Sequence, residues 1–133
     1  MASIRKEVHI HARPESVWDA LRDVGALHTR LAPGFVVDTR MEGNARVVTF
    51  GNGMVAREEI VDVDDAACRV AWAIVGGTFL HYNGTAQVFA EGTDGCRFVW
   101  TADLLPNDLA AGVAAMMEQG LQVIKKTMEE RST

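Results

Sequence analysis

The chain has 133 residues, 48% of them hydrophobic and 23% charged, so it is sized for one domain with a substantial core and is not a disordered segment. A formal net charge of −5, with Lys125-Lys126 the one adjacent cation pair near a helix end, opposes a nucleic-acid partner. Apolar stretches are interrupted every few residues by Arg, Asp or Glu, and none reaches the roughly 20 residues needed to cross a bilayer. The opening Met1–Glu7 lacks the apolar run and cleavage site of a signal peptide, and the expected location is the cytoplasm.

In chain order, residues 3–12 alternate, with Ile4, Val8, Ile10 and Ala12 opposite Arg5, Glu7, His9 and His11, which predicts a half-buried strand. Pro14 suits the first turn of a helix carrying Val17, Trp18, Leu21 and Val24, ended by Gly25. A short helix or turn follows over Ala26–Ala32, stopped by Pro33-Gly34. Phe35, Val37 and Met41 then alternate with Val36, Asp38 and Arg40. Further short strands are expected over 46–50, 54–63, 70–74, 82–88 and 98–104, joined by tight turns rich in Gly, Asn and Asp. That spacing implies an antiparallel meander.

From residue 107 the period changes. Leu109, Val113, Met117, Leu121, Ile124 and Met128 form an apolar stripe, Asp108 lies near the positive end of the helix dipole, and Lys125, Lys126 and Arg131 lie near the negative end. The expected fold class is α+β, ordered strand, helix, short helix, six strands, long helix, and residues 1–133 form a single domain. The terminal helix is the one element long enough to cover a twisted sheet bearing Trp72, Tyr82, Phe98 and Trp100. A cavity between those two layers is the expected remainder.

The run Val8-His9-Ile10-His11-Ala12-Arg13-Pro14-Glu15-Ser16-Val17-Trp18-Asp19-Ala20-Leu21 resembles the strand-to-helix signature of the SRPBCC superfamily, the START-like and birch-pollen-allergen-like helix-grip proteins. The likeness continues to Phe98-Val99-Trp100-Thr101 and the final helix, and is strongest to the bacterial polyketide cyclase/dehydrase-like members. It implies a seven-stranded sheet gripping a long helix, and a hydrophobic small-molecule ligand, lipid-like or polyketide-like. It implies no particular reaction, because the signature is a folding one. Where relatives often carry Trp-Pro after the first helix, this chain has His28-Thr29-Arg30-Leu31-Ala32-Pro33, which implies a different pocket mouth.

Several motifs have plainer readings. Gly51-Asn52-Gly53-Met54-Val55-Ala56 matches a dinucleotide fingerprint, but the alternating residues after it offer no helix N-terminus, so it reads as a hairpin turn and no cofactor is expected. His9-x-His11 has metal-compatible spacing but no third ligand tied to it, so it reads as an exposed strand face with no metal. Asn83-Gly84-Thr85 is a glycosylation sequon without relevance on a cytosolic strand, and Ser3, Ser16 and Ser132 fit no hydrolase elbow. Cys68 and Cys96 form no CxxC pair and read as small, half-buried or buried side chains.

The candidate ligand-binding set is Trp72, Tyr82, Phe98, Trp100, Met117, His28, Val113 and Gly120. Glu58, Glu59, His81 and Tyr82 are the candidate acid and base groups, and one of the two adjacent glutamates must face the helix side. Three functions compete. The leading one is binding of an apolar ligand with one or two polar anchors. The second is a cyclase or dehydratase that removes a proton beside a carbonyl. The third is an interaction protein with a vestigial pocket, possible as a homodimer through exposed strand edges.

Overall fold

Pro14, with no N–H to leave unbonded, starts helix α1 (Pro14–Arg22) directly after strand β1 (Ala2–Ile10). In the computed structural model, which describes residues 1–132, α1 buries Val17, Trp18, Ala20 and Leu21. A 3₁₀ turn (Val24–Ala26) and a single π turn (Leu27–Leu31) carry the chain to β2 (Val36–Glu42). Strands β3 (Ala45–Phe50), β4 (Val55–Asp64), β5 (Arg69–Ile74), β6 (His81–Glu91) and β7 (Gly95–Leu105) follow as a meander. A 3₁₀ turn (Asn107–Leu109) leads into α2 (Ala110–Arg131).

All seven strands form one sheet, ordered β1-β7-β6-β5-β4-β3-β2, and every neighbouring pair is antiparallel. The fold is the seven-stranded curved sheet and long C-terminal helix that the sequence predicts. Between β1 and β2 the chain crosses from one edge of the sheet to the other, and α1 with the two short turns is the covered route it takes. Strand ends differ from the sequence reading by a few residues; β1, for example, stops at Ile10 rather than continuing to Ala12.

One face assignment is corrected. The alternation grouped Phe35, Val37 and Met41, yet Val36 is buried at 1% exposure while Val37 and Met41 are 54% and 43% exposed. The cause is a bulge: the β2–β3 register shifts between Val36 and Asp38, and a one-residue shift exchanges the two faces. A second bulge lies between Ile60 and Asp62, at the exposed Val61.

On α2 the buried residues are Met117, Gly120, Leu121, Ile124, Thr127 and Met128, spaced by three and four as one helical face requires. Each fully buried large aliphatic or aromatic side chain in this layer contributes about 1.5–3 kcal/mol. The helix lies chiefly along β1, near one edge of the sheet. Polar ties fix its last turns: Lys125 Nζ donates to His9 O at 2.7 Å, Glu129 Oε2 accepts from the His11 N–H at 2.8 Å, and Arg131 Nη1 donates to Thr29 O at 2.8 Å. The other end of the sheet is joined to α1 by Asp65, whose Oδ1 accepts from Trp18 Nε1 at 3.1 Å and Arg22 Nε at 2.8 Å.

On the outer face His9 Nδ1 lies 2.6 Å from Glu91 Oε1, and Arg97 pairs with Glu7 at 3.1 Å. His11 stacks edge-on against His9 at 4.6 Å. Among the described residues no group of three or more His, Cys, Asp or Glu side chains comes together in a way that could hold a metal ion, and no helix is long and apolar enough to cross a membrane.

Candidate functional site

Glu58 shares its strand parity with Ala56 and Ile60, and the structure turns it inward, 6% exposed, while Glu59 faces out beside Arg57. Across the β3–β4 hairpin the residue directly opposite Glu58 is Arg46. Arg46 is 3% exposed, and its Nε donates to Glu58 Oε1 at 2.7 Å. A second guanidinium nitrogen reaches Val24 O at 3.3 Å, and the guanidinium carbon stands 5.3 Å from the centre of the Trp72 ring. A charged pair this deep needs such partners, because desolvating two ions costs several kcal/mol each. Arg46 lines this candidate site and was not among the residues that the sequence reading picked out.

Two chambers adjoin this pair. The first, about 50 Å³, is lined by Arg46, Glu58, Trp72, Phe98 and Trp100 from the sheet, closed over by Leu21, Leu27, Leu31 and Ile124. The second, about 80 Å³, is lined by Glu58, Tyr82 and Trp100 together with Ile74, Phe79, Val113, Met116 and Met117. Each has room for a few water molecules. Neither accommodates a drug-sized molecule without side-chain movement.

The polar atoms around these chambers are few. Trp72 Nε1 and Trp100 Nε1 are buried and have no hydrogen-bond partner among the described residues. The Tyr82 hydroxyl makes no hydrogen bond to a described residue, and burial, helped by the Glu58 charge, pushes its pKa well above the usual phenol range. Tyr82 therefore stays protonated and acts as a donor. Two glycines shape the walls. A Cβ on Gly84 would stand 2.6 Å from Trp72 Cε2, and one on Gly120 would stand 2.8 Å from Trp100 Cζ3 and 2.9 Å from Phe35 Cε2. Both indoles thus rest directly on backbone.

The sequence-predicted residues separate into two groups. Trp72, Tyr82, Phe98, Trp100, Val113, Met117 and Glu58 line the two chambers. Gly120 supports their wall from behind. His81, at the start of β6, and His28, on the π turn, are not among the residues lining either chamber, although His28 Nδ1 is buried without a partner. Glu59 is on the outer side of β4, with its side chain 43% exposed. Of the cysteines, Cys68 is half-buried and Cys96 fully buried, where burial raises its thiol to about 11.

Comparison with known proteins fits this architecture. XoxI from Bacillus cereus superposes with a TM-score of 0.86 at 16% identity, covering 100% of this chain and 99% of its own. The di-domain ARO/CYC protein BexL from the BE-7585A biosynthetic pathway superposes with a TM-score of 0.82 at 16% identity, covering 97% of this chain and 47% of BexL. A START superfamily protein from Mycobacterium smegmatis gives a TM-score of 0.73 at 13% identity, with 98% and 96% covered. At such identities these likenesses show the fold alone. Among curated proteins none matches the sequence. The model of the family described as polyketide cyclase / dehydrase and lipid transport matches residues 1–129, and the chain belongs to that family.

Proposed function

We propose that the protein binds a hydrophobic small molecule, lipid-like or polyketide-like, in the space between the sheet and α2. One observation carries this reading: a single apolar chamber gathers the Trp100 indole N–H, buried without a partner among the described residues, and Tyr82 beside the buried Glu58. Buried donors without acceptors are rare because each costs about 1–3 kcal/mol. An apolar body bearing an acceptor oxygen, a carbonyl or an ether, relieves that cost, while the aromatic and Met-rich walls accept its hydrocarbon surface. The family description, with its mention of lipid transport, supports the same ligand class.

Thermal unfolding in the presence of palmitate, cholesterol and 1-hydroxyanthraquinone tests it. A saturable rise in melting temperature with at least one of them is the expected result. No shift with any of the three, in a protein whose interior is inaccessible to all, removes the reading.

A second reading is enzymatic. Glu58 faces inward beside Tyr82, so a proton beside a ligand carbonyl has a carboxylate to receive it, and a protonated phenol to steady the enolate oxygen. The family description, polyketide cyclase / dehydrase, supports a cyclisation or dehydration of a polyketide. Under this reading Glu58→Gln abolishes turnover and leaves ligand affinity within a factor of a few; equal turnover in the variant rules it out.

A further inference from the structure

A third cavity lies outside the two chambers. It is a groove of about 360 Å³ between α2 and the loops that flank β2 and β3, lined by Gly34, Phe35, Phe50, Gly51, Asn52, Met116 and Gln119. Phe35 and Phe50 line all three spaces. Their rings meet edge to face, with centroids 5.5 Å apart and planes at 74°. Nothing else is common to the three linings, so this ring pair is the wall that separates two small inner chambers from a large outer one.

The backbone beneath the rings is held by hydrogen bonds, which the rings themselves cannot make. Gly51 N–H donates to Phe35 O at 2.9 Å, Phe50 N–H donates to Met54 O at 2.8 Å, and Gly34 and Gly53 hold the adjacent turns at φ +89° and +90°. The loops that carry the two phenylalanines are thus pinned to each other. The rings themselves are half-buried, and Phe35 is backed by Gly120, where there is no side chain to interlock with it. Rotation about the phenylalanine side-chain torsions is a far smaller motion than loop opening.

We infer that Phe35 and Phe50 form a removable partition that sets the size of ligand the protein accepts. Closed, the interior offers only chambers of about 50 and 80 Å³. With both rings turned aside, those chambers join the 360 Å³ groove, and the combined space is that of a ligand site. The biological meaning of the partition rests on the ligand-binding reading above, but its existence does not.

The test separates the two. In a Trp18→Phe background, fluorescence reports Trp72 and Trp100, which line the chambers behind the partition. Acrylamide quenching of that emission is expected to rise about threefold in Phe50→Ala, because removing a packed ring opens the interior. Phe50→Leu, gentler on folding, is expected to give a smaller rise in the same direction, with circular dichroism confirming that both variants stay folded. Quenching equal to that of the parent in both variants overturns the partition. Titration with N-phenyl-1-naphthylamine is the second arm. Affinity about tenfold tighter in the open variant than in the parent is expected, since a mostly closed state weakens apparent binding by its excess over the open one. Increased quenching with no probe bound by any variant leaves the partition standing and removes the ligand reading.

Discussion

Arg46 and Glu58 face each other across the β3–β4 hairpin and hold their charges 2.7 Å apart, with side chains only 4% and 8% exposed. The pair is a local commitment of both strands: each ion is tolerable because the other is there. Arg46→Ala or Glu58→Ala leaves one buried charge uncompensated, and each is expected to cost about 3–5 kcal/mol. The double variant Arg46→Met/Glu58→Leu removes both charges and keeps the volume, and is expected to recover most of that loss. Urea denaturation of the four proteins checks it. A double variant as unstable as the sum of the two truncations shows that the pair does not behave as a unit.

Gly120 sits in the middle of α2, where replacing Gly by Ala ordinarily stabilises a helix by about 1 kcal/mol. Here the sign is expected to reverse. The new methyl would meet Trp100 and Phe35 ring atoms at 2.8 and 2.9 Å, so Gly120→Ala is expected to destabilise by about 1–3 kcal/mol. Gly84→Ala, against the Trp72 indole at 2.6 Å, follows the same logic. Thermal melts of both variants decide the sign.

Tyr82 is a buried residue whose hydroxyl bonds no described residue, so Tyr82→Phe breaks no hydrogen bond among them and is expected to leave stability unchanged within about 1 kcal/mol. Binding is expected to respond differently. Affinity for 1-hydroxyanthraquinone falls about fivefold if the phenol donates to a ligand oxygen, while affinity for anthracene does not change. Calorimetric titration with the two compounds checks the contrast; a parallel change in both shows that the hydroxyl is no anchor.

Glu129 gives a pH signature. The His11 backbone N–H, then Lys125, hold its carboxyl below its ordinary value of 4.5. A depressed folded-state value means that the stabilisation is complete above 4.5 and is lost as pH falls through the lower folded value. Glu129→Gln is expected to lower the melting temperature at pH 7 and to flatten its fall in that acidic window. An identical pH profile in parent and variant shows that the tie contributes nothing.

Most of the architecture was legible because two periods, of two and of about 3.6 residues, mark strands and helices independently of their neighbours. The inward aromatics Trp72, Tyr82, Phe98 and Trp100 followed from alternation alone. The choice between Glu58 and Glu59 was also available: parity with Ala56 and Ile60 points Glu58 inward. Arg46 escaped because a charge in a strand reads as solvent-facing, although it shares parity with Val48 and Phe50 and stands opposite Glu58 once the 51–53 turn sets the register. Phe35 lies beside the Pro33-Gly34 turn, where alternation no longer dictates direction, and the β2 bulge separates Val36 from the parity of the rest of its strand. How far the side chains fill the hollow depends on rotamers and close contacts, which no periodicity encodes.

The polar anchors of α2 have a mechanical corollary. Among the described residues, side-chain bonds from its last turns reach β1, the link that follows it and the π turn at Lys125, Glu129, Arg131 and Ser132, while Val113, Met116 and Met117 line an apolar chamber. The rod is therefore riveted at its tail and merely rests at its head, like a beam fixed in a wall. Any swelling of the interior is relieved at the free end, beside the Phe35 ring, and leaves the joint to β1 undisturbed.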